Sequence, residues 1–224
     1  MKISAIIMAG GKNSRFNFNK LSQNPKEKLM LPLGDNRIID YSIKAALNTK
    51  YISQLIVATS PYTKVTQEYI KQKYQKLSIV ETEGKGYIED IHSIVKLFNL
   101  AEVLTMVGDT PFITSKVLKN IIKTYFHLKY EALSVMIPVK SFQKHGLRIP
   151  SKHIFFENGE RVISAGFNII DGRKTVLDQL SQVNIILDDI KLMYNINTVE
   201  DYIQAKLFYK KLNLKNRKRF FQES

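Results

Sequence analysis

Short apolar runs alternate with stretches of helical spacing along most of this chain, and that alternation restricts it to one broad architecture. The runs Ile3–Met8, Gln54–Ala58, Leu77–Val80, Val103–Val107, Leu133–Ile137 and Gly166–Ile170 have strand length. Between them, Ile39, Ile43, Ala46 and Leu47 share one helix face, as do Ile88, Ile91, Val95 and Phe98, and again Leu118, Ile121, Ile122 and Tyr125. Strands separated by helices of this length imply right-handed crossovers. The expected fold is therefore α/β: a Rossmann-like, three-layer arrangement with a mainly parallel sheet and helices on both faces. Ligands in such sheets bind beyond the carboxyl ends of the strands. From Lys140 to Arg161 the pattern lapses, with Gly146, Pro150, Gly159 and a Phe155-Phe156 pair but no clear period. That stretch reads as an excursion or β-ribbon at the sheet's edge, on the acceptor side. One domain over residues 1–205 is expected, with 206–224 as a basic helix end and tail.

The first run ends in Ala9-Gly10-Gly11-Lys12-Asn13-Ser14-Arg15, and Lys26-Glu27-Lys28-Leu29 follows. Glycines let backbone N–H groups approach an anion closely, and an arginine and a lysine neutralise it. The stretch is a candidate phosphate loop, although an ordinary strand-to-loop turn would also explain two adjacent glycines. It matches neither G-x-x-x-x-G-K-[ST] nor G-x-G-x-x-G.

Two further strand ends carry chemistry. Gly108-Asp109-Thr110-Pro111 puts a carboxylate directly after a buried strand, which suits a hard cation such as Mg²⁺. The bland alternative is that Asp109 or Thr110 caps the next helix. Thr198-Val199-Glu200-Asp201 reads as a capping-box-like helix start, and Asn195 and Asn197 just before it are placed to bring an amide oxygen to the same cation. The third run leads into Glu81-Thr82-Glu83-Gly84-Lys85-Gly86-Tyr87-Ile88-Glu89-Asp90. Glycines flanking a lysine suit a phosphate or a nucleobase lying against backbone. Guanine presents adjacent N1–H and N2–H donors, and a carboxylate accepting both separates it from adenine. Glu81 is the candidate, with Glu83 behind it. Glu89 and Asp90 read instead as acids favoured by a helix N-terminus.

The net charge of +14 suggests an anionic partner, but its distribution weakens that reading. Seven positive charges lie between Lys206 and Arg219 with no acid among them. A solvated helix face explains them, and an anionic surface is the alternative. No zinc-finger, RRM-like or KH-like signature supports a specific nucleic-acid partner. The absence of cysteine excludes disulfides, thiolate zinc sites and cysteine nucleophiles. His92, His127, His145 and His153 lack metal-ligand spacing. No run of about 18 apolar residues predicts a membrane span. Met1-Lys2-Ile3-Ser4 leads straight into a strand, so no leader is expected and the cytoplasm is the default compartment.

Taken together, Ala9-Gly10-Gly11, Arg15, Glu27-Lys28, Gly108-Asp109-Thr110-Pro111 and Asn195-Ile196-Asn197-Thr198 resemble the nucleotidyltransferases that include the molybdenum cofactor guanylyltransferases. Ala58-Thr59-Ser60-Pro61, the Gly84–Asp90 heptad, Val135-Met136-Ile137-Pro138 and Ala165-Gly166-Phe167-Asn168 resemble more narrowly the archaeal adenosylcobinamide-phosphate guanylyltransferases of cobalamin synthesis. The likeness runs to about residue 205. It departs at Leu29-Met30-Leu31, where many relatives have proline at once, and in the basic tail. The resemblance implies that a phosphate oxygen of adenosylcobinamide phosphate attacks the α-phosphate of GTP and expels pyrophosphate. It implies nucleotide contacts at Ala9, Gly10, Gly11, Thr59, Glu81, Gly84, Lys85 and Gly86. Arg15, Lys28 and Asp109 would be catalytic, with Mg²⁺ on Asp109 and Asn197. Acceptors such as molybdopterin or a sugar phosphate, and a non-catalytic anion- or nucleic-acid-binding module, stand as alternatives. Monomer and homodimer are both left open. For the tail, Leu207, Phe208, Leu212, Leu214 and Phe220-Phe221 beside basic residues suggest weak contact with an anionic membrane surface.

Overall fold

The structure, a computed structural model, describes residues 1–21, 26–150, 153–174 and 180–222, with 215–222 by backbone alone. The side chains of Lys215, Arg217, Lys218, Arg219, Phe220 and Phe221, on which part of the tail reading rests, lie outside the described residues.

In chain order the elements are β1 (Ile3–Met8), β2 (Pro32–Leu33), β3 (Asn36–Arg37), α1 (Ile38–Leu47), β4 (Ile52–Thr59), α2 (Lys64–Lys73) and β5 (Ser78–Glu81). Then come α3 (Tyr87–Phe98), β6 (Glu102–Val107), α4 (Ser115–Leu128), β7 (Ala132–Pro138) and α5 (Val139–Lys144). The chain ends with β8 (Phe155–Glu157), β9 (Glu160–Asp171), β10 (Gln182–Ile186), α6 (Ile190–Met193) and α7 (Val199–Gln222). Seven strands follow the order β10-β7-β9-β6-β1-β4-β5, and β8 pairs with β9. β1 lies parallel between β4 and β6, so its carboxyl end is central to the parallel part of the sheet.

Period-two alternation assigns the two faces. Ala5, Ile7, Leu55, Val57, Leu104 and Met106 enter the larger core, to which α1 adds Ile38, Ile39 and Ile43 and α4 adds Leu118, Ile121 and Ile122. Ile6, Ile56, Ala58 and Val103 enter a smaller core closed by Ile91, Ile94 and Val95 of α3. Each fully buried isoleucine contributes about 1.5–3 kcal/mol. A one-residue slip of β1 would exchange the two sets, so its register is firmly specified.

The sheet is mostly parallel with flanking helices, as the alternation implies, but one detail differs. β9 runs antiparallel between β6 and β7. The ribbon expected at the sheet's edge thus has its long strand inside the sheet, and only β8 hangs from it. A helix, α5, precedes it, where no period was visible. β9 is irregular where Ser134 pairs with Asn168 but Met136 pairs with Ser164. Gly166 takes φ +77° there, and a Cβ on it would meet Val107 at 2.9 Å. That bulge explains why β9 reads as a broken pattern. The expected boundary between residues 205 and 206 falls inside α7, whose Phe208, Tyr209 and Leu212 pack on the larger core. No helix among the described residues is long and apolar enough to cross a membrane.

Candidate active site

A cleft of about 390 Å³ opens at the carboxyl ends of β1, β4, β5 and β6. Ala9, Gly10, Gly11, Arg15, Lys28, Gly84, Lys85, Gly86, Asp109 and Asn197 all line it. Ten of the expected site residues, distant in sequence, are thereby brought to one place.

The loop after β1 is fixed from below. The Ala9 N–H donates to the Ala58 carbonyl at 2.8 Å, extending the β1–β4 ladder past the strand. Ser60 Oγ donates to the Gly10 carbonyl at 2.7 Å. A Cβ on Gly10 would meet Ser60 Cβ at 3.0 Å, so any side chain there would have to push Ser60 aside. Lys12 lies over the Tyr62 ring, 5.0 Å from its centroid, at the rim. Arg15 Nη2 donates to Asn197 Oδ1 at 2.8 Å, which ties the loop to the start of α7. The amide oxygen expected on a cation is therefore engaged by Arg15. Asn197 Nδ2 in turn donates to Asn195 Oδ1 at 3.0 Å.

Glu27 and Lys28 divide two tasks. Glu27 is buried, and its carboxylate accepts the N–H groups of Val65 and Thr66, each at 2.7 Å. These are orphan donors of the first turn of α2, where the helix dipole also favours an anion. Glu27 is an anchor, and it leaves Lys28 facing the cleft. Lys28 Nζ sits 2.5 Å from Asp109 Oδ2.

Asp109 does not cap a helix. The next helix, α4, is capped by Thr114, whose Oγ1 accepts from the Val117 N–H at 3.4 Å. The Gly108 N–H donates to the Met8 carbonyl, and the Ile196 N–H donates to the Asp109 carbonyl at 3.0 Å. Asp109 is thus clamped between β1 and the segment before α7. Its Oδ1 is buried and has no hydrogen-bond partner among the described residues. An orphaned carboxylate oxygen in a cleft beside basic groups fits a hard divalent cation, which takes one or two carboxylates and completes its shell with water and phosphate oxygens. Thr198 performs the capping expected of it: Asp201 N–H donates to Thr198 Oγ1, and Asp201 Oδ2 accepts from the Thr198 and Asn197 N–H groups.

Two expected nucleotide contacts are placed elsewhere. Thr59 is buried and absent from the cleft lining, with its Oγ1 accepting from Gln67 Nε2 at 3.1 Å. Glu81 is exposed and pairs with Lys64 Nζ at 2.5 Å and Gln67 Nε2 at 3.0 Å. Those partners hold its carboxyl below the usual range. Glu83, the reserve candidate, pairs with Lys85 at the surface. The carboxylate that does line the cleft at this end is Asp90. Helical spacing signals it, because Asp90 lies four residues before the buried Ile94 and so shares the inward face of α3.

Comparison with known proteins accords with this geometry. Residues 5–161 match the model of the MobA-like NTP transferase domain. The chain belongs to that family. It is a nucleotidyltransferase. It is 31% identical over 217 residues to the adenosylcobinamide-phosphate guanylyltransferase of Methanocaldococcus jannaschii, covering 93% of this chain and 98% of that one. It is 28% identical over 207 residues to a Clostridium perfringens protein described as a probable molybdenum cofactor guanylyltransferase, covering 90% of this chain and 95% of that one. Among solved structures, HddC from Yersinia pseudotuberculosis shares the fold with a TM-score of 0.69 at 13% identity, covering 92% of this chain and 99% of that one.

Proposed function

We propose that the protein transfers GMP from GTP to the phosphate of adenosylcobinamide phosphate and releases pyrophosphate. The observation that carries this reading is the end-to-end likeness to an adenosylcobinamide-phosphate guanylyltransferase, in a chain whose cleft gathers Arg15, Lys28 and Asp109 beside a diglycine loop. A phosphate monoester is largely dianionic near neutral pH, so the attacking oxygen needs no protein base. The protein supplies alignment and charge neutralisation. The backbone at Ala9–Gly11 and the Arg15 guanidinium hold the triphosphate. Lys28, steadied by Asp109 Oδ2, stands at the transferring phosphoryl group. Asp109 Oδ1 would hold Mg²⁺, which supplies neutralisation of charge on the phosphate oxygens when bound.

A second acceptor, molybdopterin, is favoured by the likeness to the Clostridium perfringens protein. The test is pyrophosphate release from GTP and Mg²⁺ with cobinamide phosphate, molybdopterin and a sugar phosphate compared side by side. Release with cobinamide phosphate above the other acceptors supports the reading, and release only with another acceptor replaces it.

A further inference from the structure

Asp90 is 9% exposed and makes no side-chain hydrogen bond or ion pair among the described residues. It stands in the first turns of α3, which begins at Tyr87, and it opens into the cleft. Its carboxylate opens to the cleft and is engaged by no side chain among the described residues, so a ligand there meets a free acceptor. Of the other acids nearby, Glu81 is engaged by Lys64 and Gln67 and Glu83 by Lys85, while Glu89 is exposed at the surface.

Its place in the cleft says which part of a nucleotide it meets. Asp109 follows β6, on one side of the β1 loop, together with Lys28, Arg15 and Asn197. Ala58, near the end of β4, and Thr82, just after β5, lie on the other side. The phosphates belong with the basic groups on the β6 side, so the nucleoside lies toward β5. Asp90 also lines an adjoining recess of about 240 Å³ with Thr82 and Ile94 and with the acids Glu81, Glu83 and Glu89; of these four acids Asp90 alone also lines the cleft. It therefore marks the far end of the cleft from the phosphate-handling groups.

We propose that Asp90 selects the base by accepting the adjacent N1–H and N2–H donors of guanine. This rests on the nucleotidyltransferase reading above and names the group that sets its nucleotide preference. An ionised carboxylate only accepts hydrogen bonds. Adenine and cytosine each set a ring-nitrogen acceptor beside an amino donor, and uracil flanks its single donor with carbonyls. Each would place a lone pair against a carboxylate oxygen. Guanine alone meets it with two neighbouring donors.

The test is equilibrium binding of GTP, inosine triphosphate, ATP and 2′-deoxyGTP to the full chain, read by displacement of a fluorescent nucleotide analogue. Inosine triphosphate lacks only the N2 amino group. The protein itself should bind GTP about tenfold or more tightly than inosine triphosphate, the loss expected for one hydrogen bond to a charged group. Asp90→Asn should bring the two affinities together while leaving the ratio of GTP to 2′-deoxyGTP unchanged. Equal binding of GTP and inosine triphosphate by the unaltered protein overturns the proposal without any variant. So does an Asp90→Asn protein that loses discrimination against 2′-deoxyGTP instead, which would place the carboxylate on the ribose, or a collapse of the ratio on Glu81→Gln in its place. A protein that binds none of the four overturns the nucleotidyltransferase reading along with this one. Binding with no base preference overturns only the role of Asp90.

Discussion

Asp109 turns one oxygen to Lys28 and keeps the other free: Oδ2 lies 2.5 Å from Lys28 Nζ, while Oδ1 is buried without a partner among the described residues. The pair itself is only slightly exposed, so its geometry is held more tightly than that of a surface ion pair. The free oxygen is what a hard cation would use. Asp109→Asn removes the charge and puts an amide where the Lys28 pairing or the cation needs a carboxylate. Turnover should fall about 10²-fold or more, and the Mg²⁺ concentration for half-maximal rate should rise. A metal titration of pyrophosphate release checks both. A variant that titrates like the parent would leave Asp109 with a structural role only.

Arg15 works through a fork. Its Nη2 donates to Asn197 Oδ1 at 2.8 Å, and Nη1 reaches the Pro150 carbonyl at 3.5 Å. Arg15→Ala and Lys28→Ala should each lower turnover by about 10²-fold with thermal melts close to the parent. Arg15→Lys should restore little, because an ammonium cannot reproduce the planar fork. Near-normal turnover in both alanine variants would remove the phosphate-handling role from this loop.

Most of this site was legible because its chemistry sits at strand ends, and strand ends can be read from apolar runs. Gly10 and Asp109 follow such runs closely, Arg15 lies in the loop after the first, and the fold brings Lys28 to the same cleft at the ends of β4, β1 and β6. Glu81 lies outside the cleft lining because a strand end fixes where the backbone goes and not which way a side chain turns. Lys64 and Gln67, both on α2, claim its carboxylate. Asp90 reads as an acid favoured by a helix N-terminus, which is an ordinary explanation, and its four-residue spacing to the buried Ile94 is the signal that places it on the inward face of α3. The antiparallel course of β9 was hidden by the bulge at Gly166, which breaks the two-residue period in mid-strand.

Glu27 gives a prediction that separates anchoring from chemistry. Its two oxygens satisfy the Val65 and Thr66 N–H groups at 2.7 Å, so Glu27→Ala strands one part-buried and one buried donor. Stability should fall by about 1–3 kcal/mol. Glu27→Gln keeps one good acceptor and should lose less. Denaturant melts measure the first effect. Turnover should fall in the same order, because Lys28 is the next residue and follows any shift of this anchor. A Glu27→Ala protein as stable as the parent would contradict the capping role.

Asp40 ties the other end of α2 to α1, and it carries the pH prediction. Its buried carboxylate accepts from Lys73 Nζ at 2.9 Å, Tyr69 and Tyr74 hydroxyls at 2.7 Å each, and the Arg37 N–H at 2.8 Å. Burial alone would raise its pKa, but these four donors outweigh it and hold the carboxyl below its ordinary value of 3.8. A group with a depressed folded pKa stabilises fully above its unfolded pKa, and that contribution drains away as pH falls through the folded value. On the basic side, burial and then the hydrogen bond to Asp40 push the Tyr74 hydroxyl well above an ordinary phenol. Its contribution is complete below about pH 10 and is lost above that. Asp40→Asn should therefore cost on the order of 3 kcal/mol near neutral pH. The gap between parent and variant should stay level down to about pH 5 and narrow below about pH 4. Chemical denaturation of both proteins between about pH 3 and pH 8 tests this. A gap that widens with acid would mean that Asp40 enters the folded state protonated.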